Sequence, residues 1–310
     1  MKSGIFTVVC AAALGLAVVG CDANGRVPET KGVLRVTATT TMVADLVRQV
    51  GGDRVEVAAL MGPGVDPHLY KASAADVVKL TQARVVFYNG LLLEGKMQEV
   101  MVQMARANSQ VYAVTESIPQ EKLLEPDSFG GHHDPHVWFD VQLWKQCVDT
   151  VERGLSAADP AGRADYAARA VQVRLRLDAL HTWALAKAQE LPPAKRILVT
   201  SHDAYNYFGR AYGFQVVGLQ GISTVTEAGL ADVTKLVDFI KEHQVKAIFV
   251  ESSVPPDAIK RISQDAGVKV GGELFSDAMG TLGEIENGYD LGTFEGMIKH
   301  NLTTIVGALK

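Results

Sequence analysis

Cysteine is scarce in this 310-residue sequence, which contains only Cys10, Cys21 and Cys147. Cys10 and Cys21 belong to an amino-terminal segment with a separate role, so only Cys147 remains for the fold. Neither an internal disulfide nor a zinc site built on cysteine is therefore expected. We interpret Cys147, which lies in a helix-like stretch, as a buried small apolar residue rather than a reactive thiol.

The sequence also lacks a block of basic residues and a second long apolar run. Its formal net charge is -5 at pH 7, and lysine and arginine are not clustered, which argues against nucleic-acid binding. After the amino-terminal segment, no run reaches the roughly 20 apolar residues needed to cross a bilayer. Membrane attachment would therefore have to come from the amino terminus.

The amino-terminal segment has the pattern of a lipoprotein signal peptide. Lys2 gives a short basic start, residues 5–20 are apolar, and small residues lead up to Cys21. We predict a signal peptide over residues 1–20, acylation of the Cys21 sulfur, and a polar tether over residues 21–32. The alternative is an ordinary signal peptide with a chance cysteine. The lipid would anchor the protein to a membrane from outside the cytoplasm, in the periplasm or on the cell surface.

Strand-like and helix-like segments alternate on both sides of one long helical segment. This alternation over residues 33–156 and 193–310 predicts an α/β fold with two lobes, each a mostly parallel sheet flanked by helices. Residues 157–192 would join the lobes through one long backbone α-helix. Within the second lobe we predict helices over residues 227–243 and 289–309.

The long helix is predicted from composition and spacing. Pro160 suits the first helical position after a capping Asp159, residues 161–191 contain no proline, and Pro192 stops the pattern. One helix of this length would be roughly 45 Å long; the alternative is two helices with a break near Ala170. The apolar positions at helical spacing are Leu175, Leu177, Leu180, Trp183, Ala184 and Leu191.

Four short motifs place metal-ligand residues near the ends of strand-like runs. Loops at strand ends build most sites of α/β folds, so we expect these residues to converge. Three imidazoles and one carboxylate suit Zn²⁺, and a carboxylate that binds through both oxygens would make Mn²⁺ acceptable too. The motifs are Asp66-Pro67-His68, Asp134-Pro135-His136-Val137-Trp138, Ser201-His202-Asp203 and Phe275-Ser276-Asp277.

Four acidic residues are candidates for supporting the ligands. A metal-bound imidazole usually donates its second ring N–H to a carboxylate or a carbonyl. Glu251 ends a strand-like run, and the other three acids flank the histidines of the motifs. The candidates are Glu251, Asp66, Asp134 and Asp203.

The remaining histidines are interpreted without a metal role. His132 and His133 lie in a polar stretch and are read as a solvated loop, although such a loop can also gather metal. His181, His243 and His300 lie on predicted helices, where we expect structural or exposed side chains.

As a set, the motifs resemble those of TroA-type zinc- and manganese-binding proteins, the extracytoplasmic solute-binding components of ABC importers. The resemblance covers essentially the whole mature chain and implies two α/β lobes joined by one backbone helix, with one metal ion in the cleft. It implies His68 and His136 as ligands from the first lobe, and His202 and Asp277 from the second. It is carried by residues 62–68, 134–140, 201–205, 251–253 and 271–277.

The resemblance also implies a function. We expect a monomeric, lipid-anchored protein that captures Zn²⁺ or Mn²⁺ and delivers it to the membrane permease of an ABC importer. Four protein ligands would fill the coordination shell, and the chain has no His-Glu-x-x-His or Gly-x-Ser-x-Gly motif. A metal-dependent hydrolase is therefore disfavoured. A surface adhesin that uses the metal structurally is the other alternative.

Overall fold

The structure is a computed structural model that describes residues 32–106 and 110–310. The predicted signal peptide, the predicted acylation site Cys21 and all but the last residue of the predicted tether lie outside the described residues. Among the described helices, none combines the length and the apolarity needed to span a bilayer.

The first lobe is built on a parallel sheet, and its strands are joined by helices. Val36 of the central strand pairs with Val57 on one side and with Val85 on the other. The strands are β1 (Leu34–Ala38), β2 (Val55–Ala59), β3 (Val85–Tyr88) and β4 (Gln110–Ala113), in the order β2-β1-β3-β4. The helices are α1 (Thr41–Gly51), α2 (Ala74–Gln82) and α3 (Met97–Arg106).

Two long helices follow the first lobe. Helix α4 covers Val141–Ala158, and helix α5 covers Arg163–Ala188. Helix α5 is one continuous helix of 26 residues, about 39 Å long, without a break near Ala170. Pro160 lies in a short 3₁₀ turn before it, where Asp159 accepts a hydrogen bond from the Gly162 amide. The boundaries of the two lobes stay a prediction.

The second lobe repeats the parallel strand–helix arrangement. Strands β5 and β6 form one parallel pair, β7 and β8 form another, and β5 lies beside β7. A small antiparallel hairpin, β9–β10, precedes the last helix. The strands are β5 (Ile197–His202), β6 (Gln215–Gln220), β7 (Ala247–Glu251), β8 (Lys269–Leu274), β9 (Ile285–Glu286) and β10 (Tyr289–Asp290). The helices are α6 (Asn206–Tyr212), α7 (Leu230–Glu242), α8 (Asp257–Ala266) and α9 (Phe294–Leu309).

Two helix predictions in this lobe were too long, and one helix was not predicted. Helix α9 begins only at Phe294, because Thr293 caps it and Tyr289 instead pairs with Glu286 in the hairpin. Helix α7 begins at Leu230, after Gly229 in extended conformation. Helix α6 was missed because its short aromatic sequence has little helical propensity.

The largest apolar core runs through both lobes. Trp144 of α4 stacks on Phe294 of α9 with ring centroids 5.7 Å apart, and Phe139 stacks on Tyr205 at 4.2 Å. Helix α5 packs against α1, α4 and α9. Cys147 is buried in this core, as predicted, and burial raises the pKa of its thiol. Because the lobes share one core, a large rotation between them would expose apolar surface.

One face of α5 carries this shared core. Its buried residues include Val173, Leu177, Leu180 and Ala184. Leu175 was predicted to belong to the same face but is 57% exposed, whereas Leu177 is 5% exposed. The reason is geometric, since residues two apart on an α-helix point about 200° apart.

We predict that Leu177→Ala lowers the free energy of unfolding by about 2–5 kcal/mol, because it removes buried methyl groups and leaves a cavity. The matched variant Leu175→Ala should change it by less than about 0.5 kcal/mol. Chemical denaturation of both variants measures the difference. Equal losses in the two variants would contradict the assignment of the buried face.

Candidate metal centre

His68, His136, His202 and Asp277 meet in the structure, although they are far apart in the chain. His202 ends β5, Asp277 follows β8, and His68 follows β2 through a loop. His136 lies between β4 and α4. One ligand atom from each residue lies within 4.8 Å of the others, and all four residues are buried.

The separations between the ligand atoms match those around a small metal ion. His68 Nε2 lies 3.3 Å from His136 Nε2, and the Asp277 carboxylate lies 3.4 Å from His136 Nε2 and 3.2 Å from His202 Nε2. Metal–ligand bonds of about 2.0–2.1 Å put the corners of a tetrahedron about 3.3–3.4 Å apart. His68 Nε2 is farther from the carboxylate, at 3.9 Å. The donor set therefore fits one ion.

Buried polar atoms without partners point to the same conclusion. His202 Nε2 and both carboxylate oxygens of Asp277 are buried and have no hydrogen-bond partner among the described residues. Buried polar atoms are normally paired. A divalent cation held by these atoms would satisfy all three, and both Asp277 oxygens face the cluster.

The two Asp-Pro-His motifs fold into the same turn. The Asp66 carboxylate accepts a hydrogen bond from the His68 amide at 2.8 Å, and the Asp134 carboxylate accepts one from the His136 amide at 3.0 Å. An aspartate that binds the backbone two residues ahead is a common turn former. This local bond orients each histidine.

The four acidic candidates divide into two pairs. Asp134 accepts a hydrogen bond from His136 Nδ1 at 2.7 Å, and Glu251 accepts one from His202 Nδ1 at 2.6 Å. Both contacts leave Nε2 facing the cluster, as expected of carboxylates that orient metal-binding imidazoles. Asp66 and Asp203 contact no ligand ring. Asp203 accepts a bond from the Gly218 amide instead.

The carboxylates give the histidines different protonation behaviour. Burial alone lowers the pKa of His136, but Asp134 and Asp277 outweigh it and raise this pKa to about 9. Burial is likewise outweighed by Glu251 and Asp277 at His202, whose pKa lies well above its usual value. Burial lowers the pKa of His68 to about 3 despite Asp277.

Asp277 is the counter-ion of the cluster. Burial alone would raise its pKa, but His202 and His136 lower that pKa well below the usual range. The carboxylate is thus ionised, while His136 and His202 hold protons at neutral pH. A cation that binds here must displace those protons.

Helix α6 and Trp138 support the site in ways that the sequence did not reveal. The Tyr207 hydroxyl donates to the Asp134 carbonyl at 3.0 Å, and Asn206 donates to the Asp134 carboxylate at 3.1 Å. The Trp138 indole donates to the Ser276 carbonyl at 3.1 Å. These bonds tie the His136 loop to the second lobe.

Glu94 organises a first-lobe loop beside the site. It is fully buried, and its carboxylate accepts bonds from the Asn89 amide at 2.6 Å and the Thr39 hydroxyl at 2.8 Å. The Asn89 side chain in turn donates to the Pro135 carbonyl, next to His136. In the sequence, the one indication of this role is that Glu94 is an acidic residue within an apolar stretch.

The other histidines stay away from the cluster. His132 and His243 are exposed, whereas His181 is half-buried. His300 is buried and contacts the Glu273 carbonyl through Nε2 at 3.1 Å. His133 is half-buried in the loop that the sequence placed in solvent.

Comparison with known proteins agrees with the fold and the cluster. The family described as "Zinc-uptake complex component A periplasmic" matches residues 36–308. The chain is 44% identical to the manganese-binding lipoprotein MntA of Bacillus subtilis over 315 residues, covering 100% of both chains. It is 45% identical to the zinc-binding protein TroA of Treponema pallidum over 279 residues, covering 88% of each.

A solved structure gives the same result. The periplasmic zinc-binding protein TroA of Treponema pallidum superposes with a TM-score of 0.85 and 43% identity, covering 90% of this chain and 99% of that one. The α/β fold with its long helix and the resemblance to TroA-type proteins are thereby confirmed. The family match spans nearly all of the described residues, and the chain belongs to the family of periplasmic zinc-uptake complex component A proteins.

Proposed function

We propose that this protein is the metal-capturing component of an ABC importer. It binds one Zn²⁺ or Mn²⁺ ion through His68, His136, His202 and Asp277 and delivers the ion to a membrane permease. The observation that carries the proposal is the spacing of these ligand atoms within 4.8 Å in a buried cluster with unpartnered polar atoms. One of the two relatives described above is a manganese-binding lipoprotein and the other is a zinc-binding protein, which supports both metals.

We propose that lipid on Cys21 holds the protein as a monomer outside the cytoplasmic membrane, near its permease. The protein acts as a carrier and not as an enzyme, because four protein ligands leave no open position for a reacting water. Glu251 and Asp134 orient the imidazoles, whereas Asp66 and Asp203 shape the loops around them.

Metal titration of single variants tests the ligand set. His202→Ala and Asp277→Ala should each weaken Zn²⁺ and Mn²⁺ binding by more than about a hundredfold. Loss of a residue that only hydrogen-bonds to a metal ligand typically weakens binding by about 10–100-fold. Competition with a chromophoric chelator measures the affinity, and circular dichroism checks the fold. The exposed His243 supplies the matched control, His243→Ala, which should bind as the wild type does. Unchanged affinity in the ligand variants would remove those residues from the site.

Metal affinity should depend on pH above neutrality. An ordinary histidine has a pKa of about 6.5, but the pKa values of His136 and His202 are raised. Below the raised pKa the metal must displace a proton, so affinity should keep rising from about pH 7 to about pH 8.5, roughly tenfold per pH unit for each proton displaced. Calorimetry in buffers of different ionisation enthalpy counts the released protons.

The matched control for this pH dependence is Glu251→Gln, which removes the carboxylate that raises the pKa of His202. Its affinity should rise less steeply with pH than that of the wild type. A wild-type affinity that is constant above about pH 7 would contradict the assigned protonation states.

A further inference from the structure

A cavity of about 330 Å³ lies beside the metal cluster, between the His68 loop and the second lobe. Its lining includes Asp66, two residues before His68, and Ser201, directly before His202. The remaining lining is largely apolar and includes Leu219, Val254 and Ile259.

The charged groups around this cavity are all acidic. Asp66 is half-buried, and Glu227 and Asp257 are exposed. Clefts lined by one sign of charge concentrate ions of the opposite sign.

One hydrogen bond spans the cavity from lobe to lobe. The Thr224 hydroxyl, in the loop between β6 and α7, donates to the Asp66 carboxylate at 2.5 Å. The other oxygen of that carboxylate holds the His68 amide. Movement of Thr224 would therefore be transmitted to the backbone of His68.

The His68 loop is tied to the opposite lobe less firmly than the other ligand loops. The Asp277 loop is held by Thr41, whose hydroxyl accepts a bond from the Met279 amide at 2.8 Å, and by Trp138. The His136 loop is held by Asn206 and by the tyrosine beside it, as described above. The Thr224–Asp66 bond is the one cross-lobe side-chain hydrogen bond of the His68 loop within the described residues.

The His68 ring is also the ligand with the weakest support. Its Nδ1 contacts no carboxylate among the described residues, whereas the rings of His136 and His202 each bind one. A carboxylate on the outer nitrogen fixes a ligand ring and increases its basicity. His68 is therefore the ligand whose dissociation from a metal ion should require the least free energy.

We propose that this side of the cleft is the passage by which a divalent cation reaches and leaves the cluster, with the Thr224–Asp66 bond as its gate and His68 as the exchanging ligand. This inference rests on the proposed function. The acidic groups at the rim attract the cation, and His68 is the last ligand to bind it and the first to leave it.

Dissociation kinetics of Zn²⁺ test the gate. Zn²⁺-loaded protein is mixed with excess chromophoric chelator in a stopped-flow instrument. Thr224→Val should release Zn²⁺ about tenfold faster than the wild type, and Asp66→Asn should release it at least as fast, because its single amide oxygen cannot accept bonds from both the Thr224 hydroxyl and the His68 amide. The double variant should release Zn²⁺ no faster than the faster single variant, because both substitutions disrupt the same Thr224–Asp66–His68 link.

Two further threonine variants provide the controls. Thr234→Val, on the exposed face of α7, should release Zn²⁺ at the wild-type rate. Thr41→Val removes the cross-lobe bond of the Asp277 loop and should have a smaller effect than Thr224→Val. A larger effect of Thr41→Val, or no effect of Thr224→Val in protein that binds Zn²⁺, would overturn the gate while leaving the proposed function intact. Wild-type protein that binds no Zn²⁺ would overturn the proposed function and the passage together.

The acidic rim has its own test. The variant Glu227→Gln/Asp257→Asn should bind Zn²⁺ about threefold more slowly at low ionic strength, and the difference should vanish at high salt because the rim charges are exposed. The control Asp238→Asn/Glu242→Gln removes the same charge from the far end of α7. Equal association rates in the two double variants would overturn the passage.

Discussion

The interaction on which the site depends is the contact of the Asp277 carboxylate with imidazoles from both lobes. Three ring nitrogens and a carboxylate are held together without exposure to water, and burial of such groups is costly unless a charge partner is present. The ionised Asp277 and the protons on His136 and His202 partly offset that cost. A divalent cation takes the place of these protons and pairs more strongly with the ligands. The arrangement that is costly for the protein without an ion therefore favours capture of one.

The scaffold around the cluster explains how the ligands can be held so closely. A local feature positions each histidine: a turn formed by an aspartate for His68 and His136, and the end of a strand for His202. The shared apolar core, in which Trp144 meets Phe294, then fixes the lobes relative to one another. Because that core is continuous, separation of the lobes during ion exchange would expose apolar surface.

Much of this arrangement could be predicted from the sequence, for identifiable physical reasons. Residue type and strand-end position were enough to gather His68 and Asp277, and helical propensity was enough for α5. The features that could not be predicted depend on contacts between segments that are distant in the sequence. The length of α9 was misjudged because hairpin pairing takes Tyr289, and the roles of Tyr207 and Thr224 depend on hydrogen bonds to loops more than 70 positions away.

The buried thiol of Cys147 has a consequence for metal selectivity. Soft ions such as Cu(I) prefer sulfur, and an accessible thiolate would compete with the imidazoles for zinc. Helix α4 encloses this sulfur in apolar surroundings, and its proton is retained. Within the described part of the chain, an incoming ion thus meets nitrogen and oxygen donors alone, and oxidation cannot readily couple two copies of the fold through this residue.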